Sequence, residues 1–413
     1  MNVVLTNAES ILQDEAEKYC PEGTAIKAVV HQWLHAIAHN ATLFGENSGV
    51  NKAELIDILK KHKMYKNRKE FKATIYSGLK LLPADQPKFK FIDLFAGIGG
   101  VRLGFQDNNG LCVFSSEFNK HAQETYFNNH GEYPFGDITK IAPDSIPEHD
   151  VLLAGFPCQP FSHAGLKLGI EDTRGTLFHN IARILEIKKP KFAVLENVKG
   201  LVSHDKGYTL QVVLKTLTEI GYCCNISKDL ILNGDTKSIQ NEAKKMVMKS
   251  IDFGVPQNRQ RIYIVFWREG LLKKFEYPEP TAEVTRVSDI LEKKTDAKYT
   301  ISDKLWAGHK RRKVENKRNG KGFGYGLVAP NSAYTNTISA RYYKDGSEIL
   351  IAQKNKNPRK VTPREAARLQ GFPEEFKYSG SDTQAYIQFG NSVSIPVVAA
   401  IAKKIKDCIN GFD

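Results

Sequence analysis

The chain is poor in the residues that staple small folds or bind structural metals. It has six cysteines in 413 residues, at positions 20, 112, 158, 223, 224 and 408. Two are adjacent and no pair has CxxC spacing, so neither a disulfide framework nor a zinc site is expected. No apolar run approaches the length of a membrane span, and no signal peptide is legible, so a membrane role is not expected. Acidic residues are in deficit: 46 Asp and Glu stand against 59 Lys and Arg, a formal net charge of +13. That balance points to a polyanionic partner, most often nucleic acid. The chain also lacks GxGxxG spacing and a Walker lysine, which disfavours dinucleotide and triphosphate binding.

What is present begins with residues 1 to about 85, which read as helical. Ala25 to Phe44 is apolar at helical spacing and puts His31, His35 and His39 on one helix face. No carboxylate or cysteine is spaced to complete a metal site there, so ordinary core or surface histidines are expected. Asn51 to Lys80 carries further helical periodicity with mixed charge, and Pro83 and Pro87 mark a linker.

From Lys88 the pattern changes. Phe89 to Phe95 reads as a strand, Ala96-Gly97-Ile98-Gly99-Gly100 as a tight turn, and Val101 onward as a helix. Strand, glycine turn and helix open a nucleotide-binding α/β fold. Leu111 to Ser116 reads as the next strand and ends at Glu117, placed to accept from ribose hydroxyls. Tyr133 to Ile138 ends in Asp137 and Ile138, suited to an adenine amino group and ring. Together these describe an adenosine pocket without a phosphate cradle, the shape that S-adenosylmethionine takes.

Val151 to Ala154 is a short apolar strand leading into Gly155-Phe156-Pro157-Cys158-Gln159-Pro160-Phe161-Ser162. Pro157 stiffens the backbone, so Cys158 is held at the carboxyl edge of the sheet, where a thiol can serve as a nucleophile. The polar stretch 163–175 is expected to be mobile, and a helix is expected from Thr176 to about Ile187. Lys191 to Leu195 is a strand that delivers Glu196-Asn197-Val198 to the same edge, where a buried carboxyl can donate a proton. Thr209 to Ile220 reads as helix, Tyr222 to Leu232 as extended, and Asn233 to Ser250 as a polar insertion. Gln257-Asn258-Arg259-Gln260-Arg261 precedes a strong strand, Ile262 to Trp267. Arg259 and Arg261 share one side of an extended segment; one could fix a base oxygen, the other a phosphate or a loop.

Lys304 to Lys321 holds eight Lys or Arg against one Glu, and Gly320 to Gly326 interleaves glycine with Phe323 and Tyr325. With the extended, hydroxyl-rich stretch Thr335 to Tyr343, this composition suits a DNA groove. Thr362-Pro363-Arg364-Glu365 is a helix-start pattern. Gln388 to Val393 precedes an apolar helix from Ile395 to Ile409, with Asn391 and Ser392 at its N-terminus.

In order and in spacing, Phe91 to Gly100, Gly155 to Ser162, Glu196 to Val198, Gln257-x-Arg259-x-Arg261, Thr362 to Pro373 and Gln388 to Val393 closely resemble the motifs of the DNA cytosine carbon-5 methyltransferases. The resemblance implies a Rossmann-like S-adenosylmethionine-dependent catalytic domain at 88–267, a target-recognition domain at 268–361 and a return to the catalytic domain at 362–413. Residues 1–87 form a helical extension matching no family motif. It implies cofactor contacts at Phe95, Gly97, Ile98, Gly99, Glu117, Asp137, Ile138, Pro157, Asn391 and Ser392. Cys158 matches the nucleophile, Glu196 the acid near N3 and Arg261 the residue near O2, with Arg259 beside it. Gln159, Ser162, Gln257, Arg341, Tyr342 and Lys344 are the expected DNA contacts. Residues 319–327 and 336–351 look like the recognition region of the Dcm and EcoRII-type enzymes, which implies the inner cytosine of CCWGG. Double-stranded DNA is the implied partner, a separately acting restriction endonuclease a further one, and a cytoplasmic, nucleoid-associated monomer the expected state. A transfer-RNA cytosine methyltransferase and a catalytically inactive DNA-binding regulator are the alternatives.

Overall fold

The computed structural model describes residues 3–157, 177–281, 283–378 and 380–411. The chain divides into two compact units. The first comprises residues 1–247, 261–277 and 401–413; the second comprises 248–260 and 278–400.

The first unit opens with four helices, α1 (Val3–Glu17), α2 (Ile26–His39), α3 (Lys52–Lys61) and α4 (Arg68–Ile75). Helix α2 is almost wholly buried, from Ala28 through Ala38. Asn51 and Asn67 cap α3 and α4 by accepting from backbone N–H groups of the first turn. The helices pack on the sheet domain: Gln32 donates to the Val113 carbonyl, and Trp33 and Phe44 lie in the same core as Phe114 and Phe135.

The sheet runs β1 (Phe89–Leu94), β2 (Gly110–Ser116), β3 (Val151–Gly155), β4 (Phe192–Val198), β5 (Tyr222–Cys223), the short β6 (Val247–Lys249) and β7 (Gln260–Arg268). Its main order is β2-β1-β3-β4-β7-β5. β1 pairs in parallel with β2 and β3, and β3 in parallel with β4, whereas β7 is antiparallel to both neighbours. The near-continuous burial of β1 to β4 is what a parallel sheet covered on both faces requires. Helices α5 (Gly100–Gln106), α6 (Lys120–His130), α7 (Leu177–Lys188) and α8 (Tyr208–Glu219) connect the strands. This is the Rossmann-like α/β architecture expected from the sequence.

Two local expectations change. The stretch Tyr222 to Leu232 is extended only at β5; Ser227 then accepts from the Leu230 N–H and starts α9 (Lys228–Asn233). The polar segment 233–250 is not a loose insertion. Asp235 caps α10 (Thr236–Ala243), which buries Ile239 and Ala243 at helical spacing, with Met246 following into the core.

The second unit holds α11 (Asp303–Arg318), a three-stranded sheet of β8 (Leu327–Val328), β9 (Leu350–Gln353) and β10 (Lys356–Lys360), then α12 (Pro363–Leu369), α13 (Asp382–Asn391) and the start of α14 (Ile395–Asn410). The Thr-Pro-Arg-Glu start of α12 forms a full capping box between Thr362 and Glu365. Glu365 is fully buried and takes both Arg359 guanidinium nitrogens, at 2.7 and 2.8 Å. By length and composition the stretch Asp382–Asn410 is apolar enough to cross a membrane, yet 67% of that window is buried inside the protein, as in a core helix.

Candidate active site

The glycine turn after β1 sets one wall of a cavity. Phe95 takes a left-handed backbone (φ 57°), a strained choice for a phenylalanine and one that concentrates at functional sites. Gly97 and Gly99 also have positive φ, and a side chain at Gly99 would collide with the His130 ring. The turn is closed by Glu117 at the end of β2. Its carboxylate accepts from the Gly97 N–H at 2.8 Å and the Asn119 N–H at 2.7 Å. Burial nevertheless pushes its pKa up, against those hydrogen bonds. Phe135 bridges to Ser116 between paired backbone bonds, from its N–H to Ser115 and from the Glu117 N–H to its carbonyl. That bridge brings Asp137 beside Glu117 in the cavity wall. Asp137 Oδ1 caps the following short helical turn at the Thr139 N–H.

The cavity so formed, about 200 Å³, is lined by Phe95, Ser116, Glu117, Phe118, Gly136, Asp137, Ile138 and Leu177. Ser116, Phe118 and Leu177 were not legible as lining residues. Phe118 stands 76% exposed, an aromatic ring available for a ligand to cover. An adenosine-bearing ligand fits this donor set: two carboxylates for hydroxyl and amino groups, apolar rings beside them and no cationic cradle for phosphate.

The second cluster sits at the carboxyl ends of β3 and β4. Glu196 pairs in register with Gly155, three residues before Cys158. Arg261, on β7, faces Glu196 with its Nε 3.1 Å from the carboxylate, and both side chains are largely shielded from solvent. The neighbouring Asn197 is buried and donates from Nδ2 to the Phe156 carbonyl at 2.8 Å. It therefore holds the backbone two residues before Cys158, a positioning role that the motif did not disclose. Pro157 is exposed and Phe156 packs on Phe178. Cys158, Gln159, Ser162 and the stretch 163–175 lie outside the described residues.

Arg259, by contrast, is 2% exposed and donates to the carbonyls of Ile338, Gly390 and Ser392 within the second unit. Of the roles open to the arginine pair, it takes the one of holding loops. Gln257 and Tyr342 are also fully buried, which corrects their reading as DNA contacts. Gln257 donates to the Leu369 carbonyl and accepts from the Ile338 N–H, while the Tyr342 hydroxyl donates to Ile349 and accepts from Val361. Their polar atoms are spent inside the unit. Arg341 and Lys344 are exposed, as are Lys304, Lys310, Arg311, Lys313, Lys317 and Arg318 of α11. Asn391 ends α13 rather than starting the next helix; it is exposed, and Ser392 is buried. The three histidines of α2 form no metal site: His31 bonds Glu9, and His35 and His39 share the Tyr76 hydroxyl. Among the described residues no group of side chains could hold a metal ion.

Comparison with known proteins agrees with these features. Residues 89–407 match the family model for the C-5 cytosine-specific DNA methylases. The Type II methyltransferase M1.ScrFI of Lactococcus lactis subsp. cremoris is 58% identical over 78% of this chain and 79% of its own length. The DNA-cytosine methyltransferase of Escherichia coli K12 is 42% identical, over 83% of this chain and 84% of its own. Among solved structures, the S. pombe Dnmt2 methyltransferase shares the fold, with a TM-score of 0.59 at 21% identity over 79% of this chain and 99% of that one. The chain belongs to the C-5 cytosine-specific DNA methylase family.

Proposed function

From that membership, we propose that this chain methylates carbon 5 of the inner cytosine in CCWGG duplexes, through a covalent adduct on Cys158, with the target base flipped out of the helix. The observation that carries the mechanism is the Glu196–Arg261 pair, 3.1 Å apart and beside Gly155 at the sheet edge. Phe95, Glu117, Asp137 and Ile138 would hold S-adenosylmethionine, which would supply an electrophilic methyl group. The Cys158 thiolate adds to C6 of the cytosine, which turns C5 from a poor nucleophile into the carbon of an enamine; once C5 has taken the methyl group, its proton is lost to a base and the thiolate leaves C6, which restores the ring. Glu196 holds a proton at N3 and stabilises the adduct; Arg261 orients the Glu196 carboxylate and holds O2. Asn197 keeps the Phe156 backbone fixed, and with it the approach of the thiol. None of these atoms can be reached inside a stacked duplex, so the base must leave the stack. The exposed cations of α11, with Arg341 and Lys344, supply phosphate and groove contacts in the second unit.

The likeness to M1.ScrFI, a Type II methyltransferase, supports a role as a cytoplasmic modification enzyme beside a separately acting restriction endonuclease. The CCWGG target rests on the likeness of residues 319–327 and 336–351 to the Dcm-type recognition region. Duplexes differing only in the central pair test it, using a labelled methyl donor. The CCAGG/CCTGG duplex should be labelled and the CCGGG/CCCGG duplex spared; equal rates on the two would remove the restriction to W. On the preferred duplex, Glu196→Gln should lower kcat by about 10²–10⁴-fold, the span of a lost proton donor. An unchanged kcat would remove Glu196 from the reaction.

A further inference from the structure

The helical extension, residues 1–87, matches no part of the family model, which begins at residue 89. Its contacts converge on one short segment of the catalytic unit, Tyr133 to Gly136, immediately before the cavity residues Asp137 and Ile138. His31 Nδ1 accepts from the Tyr133 N–H at 3.0 Å. That nitrogen is therefore unprotonated, so Nε2 carries the ring hydrogen and donates it to Glu9 at 2.8 Å. Lys27 Nζ lies 3.6 Å from the centre of the Tyr133 ring. Phe44 packs against Phe135 with ring centres 4.5 Å apart. Thr24 Oγ1 accepts from the Gly136 N–H at 3.2 Å. The approach there is so close that a Cβ on Gly136 would stand 2.5 Å from the Gly23 carbonyl oxygen. The opposite side of the same segment is tied to β2 through Ser115 and Glu117. The segment leading into Asp137 is thus clamped between the sheet and the extension.

We propose that the extension is a working part of the cofactor site, in which Thr24 is a positioning residue for Asp137 and Ile138. The proposal rests on the assignment of that cavity to S-adenosylmethionine. The Gly136 N–H lies in the peptide plane that joins Phe135 to Gly136, so holding it anchors the backbone one residue before Asp137. Removing the Thr24 acceptor loosens the cavity wall at Gly136, one residue before Asp137, whose Oδ1 stays tied to the Thr139 N–H. The effect belongs on cofactor affinity, not on the chemical step or on DNA.

The full-length protein tests this by calorimetry with S-adenosylhomocysteine and by steady-state methylation. Thr24→Val keeps the shape and removes the acceptor; it should raise the dissociation constant about fivefold, the worth of one shielded hydrogen bond. The KM for S-adenosylmethionine should rise in parallel, with kcat and the KM for DNA unchanged. Thr24→Ser should restore affinity. Lys27→Met, at the half-buried rim, should act in the same direction by about twofold without risk to folding. Dissociation constants unchanged in both variants would overturn the proposal, as would a fall in kcat at saturating cofactor with no change in KM. Asp137→Ala separates the premise from the inference. If it weakens binding strongly while Thr24→Val does not, the clamp fails; if binding survives it unchanged, the cavity assignment fails first.

Discussion

Cys158→Ala is expected to reduce methyl transfer by about 10⁴-fold or more while leaving S-adenosylhomocysteine binding within about twofold. The size follows from the chemistry. Carbon 5 of cytosine is not nucleophilic enough to take a methyl group until a thiolate has added at C6. Alanine removes that addition and leaves the side chains of Phe95, Glu117, Asp137 and Ile138 in the cavity wall unchanged. Duplex DNA carrying 5-fluorocytosine at the target gives a second readout, because fluorine at C5 cannot leave as a proton does. The wild-type chain should form an adduct stable to denaturation and the variant none. Methylation that survived the substitution within tenfold would remove the covalent route.

The largest expected change in stability lies at Glu132, remote from the chemistry. Its Oε1 accepts from Arg102 Nη2 at 2.6 Å and lies 3.1 Å from His35 Nδ1, and all three side chains are buried. Burial pushes the Glu132 carboxyl up, but Arg102 and then His35 outweigh it and hold the pKa below its ordinary value. Glu132→Ala strands the Arg102 guanidinium in the core and should cost about 3–5 kcal/mol in chemical denaturation. Replacing both partners, with Arg102→Met and Glu132→Leu, should recover much of that loss, because the penalty comes from an unpaired charge. A single-variant cost below about 1 kcal/mol would mean that water reaches the pair.

Buried histidines predict acid sensitivity. Burial lowers His35 to about 4, against the pull of Glu132, and lowers His149 to about 4. Both remain neutral in the folded protein where an unfolded histidine, with a pKa of about 6.5, already binds a proton. Their contribution is complete above about pH 6.5 and is lost as pH falls toward 4.

Strand ends were legible in the sequence because apolar runs bounded by turns fix them. That is why Glu196 could be put at the sheet edge of Cys158 and Glu117 at the end of a strand, whereas the place of Arg261 came from the family resemblance. Burial imposed by distant partners was not legible. Alternation places Arg259 and Arg261 alike, yet one is spent on three carbonyls from residues 338–392 and the other faces Glu196. Tyr342 and Gln257 lie among basic and polar residues that read as surface, and only the fold supplies the backbone groups that satisfy them. The α2 histidines looked unremarkable for the same reason. Their partners Glu9, Tyr76 and Glu132 are 22 to 97 residues away. Helix α9 was missed because Leu230, Ile231 and Leu232 follow β5 as an apolar run, and a single capping serine decides the matter.

The central claim is that this chain methylates cytosine at carbon 5 in a defined DNA site, with Cys158 as nucleophile. Bisulfite sequencing of DNA from a host without cytosine methylation, expressing either this chain or its Cys158→Ala variant, tests it most directly. The account predicts protection of the inner cytosine of CCWGG with the wild-type chain and none with the variant. Protein that is folded and binds S-adenosylhomocysteine, yet leaves every cytosine in DNA unprotected, would contradict it.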